Sequence, residues 1–262
     1  MTKAIVLAAG QGTRLRPLTD QIPKTMVPIK GKPIIEYQME CFRNNRISDV
    51  HVVTGYQQDK LMVDGIKKTF NPCYNSTNMV ASLYTVKELF DGSSDIIISY
   101  GDIIFDSHVL AKLLSQHGPK ISIIYDLNWL KLWSRRMENP LSDAESFKLN
   151  DSGYVRELGK TITKEEDVEG QYIGLIHVNR NFAPQFFSLY ETLRGLDRLF
   201  DGKDFNNMYM TSYLQMQIDE GNRLVGVPIH GGWVEVDSVE DKDIYDKMID
   251  EGEMYQICKI LA

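Results

Sequence analysis

An apolar run, Ile5-Val6-Leu7, opens directly into Ala8-Ala9-Gly10-Gln11-Gly12-Thr13-Arg14-Leu15-Arg16-Pro17-Leu18-Thr19, and Pro23-Lys24-Thr25-Met26-Val27-Pro28 follows soon after. A loop built from Leu7, Ala8, Ala9, Gly10, Gly12 and Thr13 can close its backbone N–H groups around phosphate oxygens, because glycine carries no Cβ to block the approach. Arg14, Arg16 and Lys24 add positive charge to the same loop. Arginine can bind two phosphate oxygens at once and lysine acts as a point charge, so the chemistry indicated is polyphosphate binding. A bare Gly-x-Gly is usually only a tight turn; the cations make this one a candidate site. Two common glycine motifs do not fit. A dinucleotide fingerprint needs a third glycine where Leu15 stands, and an acid some 20 residues later, where Lys30, Lys32 and Glu36 lie. A Walker A loop needs Gly-Lys-Ser/Thr, which does not follow this strand.

The elements that must hold this loop alternate between continuous apolar runs and segments of helical period, the pattern of a mostly parallel sheet covered on both faces. Strands are expected at 3–8, 50–54, 95–100 (ending on Gly101-Asp102), 120–125, 171–178, 224–228 and 233–236. A helix is expected at 33–43, with proline at its start where the missing N–H costs nothing. Another is expected at 79–90, where Met79, Leu83, Val86 and Phe90 recur at helical spacing, and others at 183–193 and 207–219. Segments 144–149 and 154–158 flank Asn150-Asp151-Ser152-Gly153, turn chemistry for a hairpin. Asp106 is placed to cap a helix. A last helix begins at Ser238, an N-cap residue type, with Asp241 three positions on. The whole reads as one α/β domain over 1–262, with a doubly wound core in 1–126 and structure built over its open edge in 127–262.

Composition bounds the function classes. The 262 residues are 43% hydrophobic and 25% charged, an ordinary globular profile. The net charge of -7 disfavours a nucleic-acid partner, whose phosphates demand clustered Lys and Arg. Cys41, Cys73 and Cys258 are odd in number and widely spaced, which disfavours a disulfide framework or a zinc site and fits a reducing, cytoplasmic location. The apolar run at the N-terminus is too short for a secretion signal or a membrane span.

The loop resembles the signature of the nucleotidyltransferases that charge sugar phosphates, phosphocholine and related compounds: L-A-A-G-x-G-[TS]-R-[LM]-x-P-L-T followed by P-K. That resemblance implies a Rossmann-like three-layer α/β/α sandwich, Mg²⁺ as cofactor, and direct attack of an acceptor phosphate on the α-phosphorus of an NTP. With its last element a helix, the chain is similar to members without hexapeptide repeats. The resemblance assigns Arg14 and Lys24 to the triphosphate and transition state, and Asp102 and Asp237 to the metal, with Arg14, Lys24 and Asp102 as catalytic residues. Asp102 stands just past the carboxyl end of a strand, where ligands bind in open α/β sheets. Either aspartate alone also reads as a helix cap or a solvated turn.

In this family the segment after the second crossover reads the base. Here it is Asn71-Pro72-Cys73-Tyr74-Asn75-Ser76-Thr77-Asn78-Met79-Val80-Ala81-Ser82-Leu83, without the Gln-Pro and Gly-Thr-Ala of many thymidylyl and uridylyl members. Asn78 and Ser82 resemble the phosphocholine cytidylyltransferase pattern, which implies CTP; Asn78 reads equally as a helix cap. Together with Gly101, these complete the nucleotide-binding set. For the acceptor, Trp129, Trp133, Tyr172 and Trp233 offer aromatic surface, and Asp143 and Glu145 are one residue apart on one face of an expected strand. Aromatics with carboxylates suit a cationic acceptor, although the same residues also read as core tryptophans and surface acids. Leu130-Lys131-Leu132-Trp133, Asn139-Pro140-Leu141-Ser142-Asp143-Ala144-Glu145, Gln171-Tyr172-Ile173-Gly174-Leu175 and Asn207-Met208-Tyr209-Met210-Thr211-Ser212 resemble the branch acting on aminoalkylphosphonates and phosphoglutamine. That branch implies a small phosphate or phosphonate acceptor, with the product feeding capsule polysaccharide or lipid decoration. Arg135 and Arg136 could face an acceptor anion or solvent, and exposed edges are compatible with a homodimer. A sugar-1-phosphate nucleotidylyltransferase, a non-catalytic nucleotide-binding module and, more distantly, a Rossmann oxidoreductase are the competing readings.

Overall fold

In Thr2–Ala8 (β1), Ala4, Val6 and Ala8 enter one hydrophobic cluster while Ile5 and Leu7 enter another. Both faces are buried, which is why the strand reads as an unbroken apolar run. The computed structural model describes residues 2–262. After β1, Pro28–Ile29 (β2) and Lys32–Pro33 (β3) form a short antiparallel hairpin leading into Ile34–Asn44 (α1). Asp49–Thr54 (β4) pairs in parallel with β1, and Ile66–Phe70 (β5) in parallel with β4. Asp95–Tyr100 (β6) lies on the other side of β1, also parallel. Ile103–Phe105 (β7) leaves the sheet, and Ile121–Asp126 (β8) returns to it. Glu145–Leu149 (β9) and Val155–Thr161 (β10) form a separate antiparallel ladder. Gln171–Val178 (β11) then inserts antiparallel between β6 and β8, and Leu224–Ile229 (β12) closes the far edge in parallel with β8. The seven-stranded order is β12-β8-β11-β6-β1-β4-β5. Trp233–Glu235 (β13) pairs antiparallel with β7, outside that sheet.

Helices cover both faces. On one side, α1, Ser107–Leu114 (α3), Trp129–Arg136 (α4) and Val239–Asp250 (α7) contribute Phe42, Leu110, Trp133 and Tyr245 to the first cluster. On the other, Met79–Tyr84 (α2), Ser188–Leu193 (α5) and Met210–Asp219 (α6) contribute Leu83, Tyr190 and Tyr213 to the second. This is the expected α/β/α sandwich on a mostly parallel sheet, with strands from both halves of the chain woven into it.

Several boundaries differ from the sequence reading. The helix expected at 79–90 stops at Tyr84 and resumes as the single 3₁₀ turn Lys87–Leu89, because Val86 and Phe90 reach the core without helical continuity. The segment 183–193 divides into a 3₁₀ turn, Ala183–Gln185, and α5, while α6 begins at Met210 rather than 207. β5 was not expected: it is an edge strand with two exposed lysines, Lys67 and Lys68, and so lacks an apolar run. Asp106 occupies the N-cap position of α3 but makes no capping bond; its carboxylate accepts from the backbone N–H groups of Lys259 (3.1 Å) and Ile260 (2.7 Å), clamping the C-terminal turn instead. Ser238 does cap α7, in a reciprocal box with Asp241.

Candidate active site

Asp102 and Asp237 are brought together by backbone pairing. Asp102 lies between β6 and β7, and Asp237 lies two residues beyond β13, the partner of β7. The Val236 N–H donates to the Asp102 carbonyl at 2.9 Å, extending that ladder to the two aspartates. Gly101 is required at this strand end, since a Cβ there would sit 2.6 Å from the Leu7 carbonyl oxygen. Gly12 adopts φ +59, a left-handed conformation natural to glycine, and Lys24 Cβ lies 3.0 Å from where its Cβ would be. The Thr19 hydroxyl donates to the Gly12 carbonyl at 2.8 Å, so the glycine loop is folded down onto Lys24.

The Lys24 ammonium bridges the two aspartates, 2.8 Å from Asp102 Oδ2 and in contact with Asp237 Oδ1. Burial alone would lower its pKa; Asp102 and Asp237 outweigh that and hold it above the ordinary lysine value. Arg14 reaches Asp237 Oδ1 at 3.1 Å with its side chain still largely exposed, free to meet a ligand. Burial pulls Asp237 upward, but Lys24, Arg14 and Arg136 more than offset it and its pKa lies below the usual carboxylate range.

A third carboxylate, Glu235, completes the cluster. It escaped the sequence reading, although its place two residues from Asp237 at the end of β13 was the available signal. Asp102, Glu235 and Asp237 each offer an oxygen within 4.8 Å of the others. Burial, then Asp237, pushes Glu235 up to about 8, against the pull of Arg136 and Lys24. Asp102 Oδ1 is buried with no hydrogen-bond partner. An all-oxygen donor set with an unsatisfied buried carboxylate oxygen fits a hard divalent cation such as Mg²⁺.

Two cavities meet at this cluster. The first is lined by Leu7, Ala8, Ala9, Gly10, Lys24, Asn78, Met79, Ser82, Gly101 and Asp102, with Tyr74 and Thr77 opposite. Gly12 and Thr13 shape its loop without lining it. Asn78 Oδ1 accepts from the Met79 N–H at 2.8 Å, which is the capping role, while its Nδ2 has only a long contact, 3.4 Å, to the Asn207 carbonyl. The Ser82 hydroxyl accepts from Asn71 Nδ2 at 3.0 Å and keeps its own proton to donate. Buried Asn71, whose Oδ1 also accepts from the Cys73 N–H at 2.9 Å, is thus an organiser of this wall.

The second cavity is lined by Arg14, Met79, Trp133, Asp143, Glu145, Tyr172, Trp233, Glu235 and Asp237, with Tyr100 and Tyr209 among the rest. Met79 therefore separates the two cavities. Burial raises the Asp143 and Glu145 carboxyls above their usual range, and Asp143 adds to the effect on Glu145. Trp129 does not belong to this surface: it is 4% exposed and packs edge-on against Trp133, 6.4 Å between centroids, in the core. It lies one helical turn before Trp133 on the same helix face, and the cavity does not extend to it. Trp133 and Trp233 are also deeply buried, although both contribute to the cavity lining. Arg135 pairs with Glu253 at the surface (2.7 Å), whereas Arg136 is buried among carboxylates. His51 and His177 are buried away from the cluster, both with pKa lowered by burial.

Residues 3–126 match the nucleotidyl transferase family. The chain is 40% identical over 250 residues to a CTP:phosphoglutamine cytidylyltransferase of Campylobacter jejuni, covering 92% of this chain and 98% of that protein. The chain belongs to the nucleotidyltransferase family. A second relative, a choline-phosphate cytidylyltransferase of Streptococcus pneumoniae, is 47% identical over 90 residues, 33% of this chain and 39% of that one. The fold is shared with the solved inositol-1-phosphate CTP transferase from T. maritima, at a TM-score of 0.71 and 21% identity over 96% of this chain and 97% of that one. Among the described residues, no helix is long and apolar enough to cross a membrane.

Proposed function

We propose that this nucleotidyltransferase transfers CMP from CTP to a small phosphorylated or phosphonate acceptor bearing a cationic group, with Mg²⁺ as cofactor and release of pyrophosphate. The observation that carries the reading is the meeting of two chemically different cavities at one acidic cluster spanned by Lys24. In the first, the side-chain groups left over after internal bonding, Asn78 Nδ2 and the Ser82 hydroxyl, are donors. Donors match O2 and N3 of cytosine, both acceptors, whereas N3 of uracil carries a proton. In the second, Asp143 and Glu145 line the wall with Tyr172, and among the described residues neither makes a salt bridge, which favours an amino-bearing acceptor of the phosphoglutamine, 2-aminoethylphosphonate or phosphocholine type. The Campylobacter relative's name favours the first of these.

In the reaction, an acceptor phosphoryl oxygen attacks the α-phosphorus in line. The new P–O bond forms as the bond to pyrophosphate breaks and its electrons leave with that group. No general base is needed, since the attacking oxygen is already deprotonated. Arg14 and Lys24 stabilise the charge gathering on the α-phosphate and pyrophosphate, and the two cavity walls supply alignment. Asp102, Glu235 and Asp237 would hold Mg²⁺, which would add neutralising charge at the phosphates.

The test is pyrophosphate release with Mg²⁺ and each of CTP, UTP, dTTP, ATP and GTP. Acceptors are phosphoglutamine, 2-aminoethylphosphonate, phosphocholine and glucose-1-phosphate. Turnover with CTP and an amino-bearing acceptor, reduced at least about 100-fold in Asp102→Ala, is expected. Turnover with glucose-1-phosphate alone would sink the acceptor class, and no turnover with any pair would leave a binding module.

A further inference from the structure

Behind the acidic cluster lies a cation that the proposed chemistry leaves unused. The Arg136 side chain, at the end of α4, is 1% exposed. Its guanidinium grips Asp241 at both oxygens, Nε to Oδ1 at 2.8 Å and Nη2 to Oδ2 at 3.0 Å. Nη1 donates to Glu235 Oε2 at 3.1 Å, and Nη2 lies 3.7 Å from Asp237 Oδ2. Asp241 in turn accepts from the backbone N–H groups of Asp237 (2.9 Å) and Ser238 (3.0 Å). Asp237 therefore has one oxygen toward Lys24 and Arg14 and the other toward Arg136. Three donors in a rigid plane fix carboxylate orientation in a way a single ammonium does not. The same guanidinium stacks over the Trp133 ring at 4.9 Å, and Trp133 is part of the acceptor cavity wall.

We infer that Arg136 is a positioning residue: it orients Glu235 and Asp237 to hold the divalent cation, and through Trp133 it ties that orientation to the acceptor wall. The inference rests on the cluster being the metal site of the proposed transfer. Groups that orient metal-binding side chains are worth about 10- to 100-fold in affinity or activity when removed.

Mn²⁺ binding to the free protein, read by electron paramagnetic resonance, tests this without turnover. Arg136→Lys keeps the charge and loses the planar grip; the Mn²⁺ dissociation constant is expected to rise about tenfold or more. Under saturating Mg²⁺, kcat should fall by about the same factor while the CTP KM stays within about twofold. Arg135→Lys, at the surface neighbour, should change neither. Asp241→Asn keeps an acceptor for the two N–H groups but ends the ion pair, and should weaken Mn²⁺ in the same direction, so the inference remains testable if Arg136→Lys folds poorly. A lowered melting temperature with unchanged Mn²⁺ affinity in both variants would overturn it. Wild-type protein that binds Mn²⁺ through Asp102 and is weakened by Arg136→Lys, yet turns over no acceptor, would support the positioning role and defeat the proposed reaction. Normal wild-type turnover with Mn²⁺ binding indifferent to both variants would do the reverse.

Discussion

Replacing Lys24 by methionine separates the two roles the proposed reaction gives this side chain: filling the space between carboxylates and assisting the reaction. The ammonium sits 2.8 Å from Asp102 and in contact with Asp237, with side-chain exposures of 16%, 15% and 7%. A unit charge pair at 4 Å is worth about 4 kcal/mol at an effective dielectric of about 20, and desolvation offsets part of that. Removing one member of such a partly buried set costs about 3 to 5 kcal/mol; among the described residues Asp102 loses its salt-bridge partner, while Asp237 keeps Arg14 and Arg136. At about 3 °C per kcal/mol for a chain of this size, Lys24→Met should melt roughly 9 to 15 °C lower in chelator. Because the Lys24 pKa is raised, this contribution is fully present below the unfolded value of about 10.4 and is lost only as pH rises through the higher folded value. At neutral pH it is therefore intact in the wild type. Without the competing ammonium, the three carboxylates should bind Mg²⁺ more tightly, about tenfold or more for 1.4 kcal/mol of relief. The turnover number should nevertheless fall about 100- to 1,000-fold, through loss of a preorganised charge. Calorimetric titration with Mg²⁺, melting with and without the metal, and pyrophosphate release give the readouts. Weaker Mg²⁺ binding in the variant would refute the idea that Lys24 and the metal share these oxygens.

Two further perturbations probe the acceptor side. Glu145→Gln should raise the KM of a cationic acceptor about 5- to 50-fold and leave the CTP KM within twofold, as measured by initial rates, since only the second cavity contains Glu145. Its raised pKa implies that the folded protein holds this proton more tightly than the unfolded chain; as pH rises above about 4.3 the wild-type acceptor KM should fall, while the group subtracts from stability over the same range. A flat KM from pH 4.5 to 7 in the wild type would exclude the ionised form as the binding species. Trp129→Ala should cost about 3 to 5 kcal/mol in denaturant unfolding, the range for a buried aromatic, while the folded fraction keeps an acceptor KM within about threefold. A large KM change with little loss of stability would return Trp129 to the cavity.

Local chemistry in the sequence carried much of the site. The glycine loop with Arg14 and Lys24 was legible as one unit because its residues are close in sequence, and that proximity survives folding. The apolar runs of β1, β6 and β8 were legible because strands buried on both faces need no partner to explain their composition. The Ser238–Asp241 box was equally local. Exposed β5 left no such trace, and the end of α2 at Tyr84 was set by the packing of Val86 and Phe90 rather than by their spacing.

Only the tertiary structure decided which distant carboxylates meet. Asp102 and Asp237 were nominated through family resemblance, but Glu235 joins them because the β7–β13 ladder lies outside the main sheet and turns that strand end toward Lys24. A strand's sequence does not state its partner, since the ladder bonds are backbone bonds that every residue type but proline can make. Nor did any pattern along the chain separate Arg135 at the surface from Arg136 in the core. Neighbouring residues on a helix differ by about 100° in direction, and which direction is inward depends on what packs against the helix.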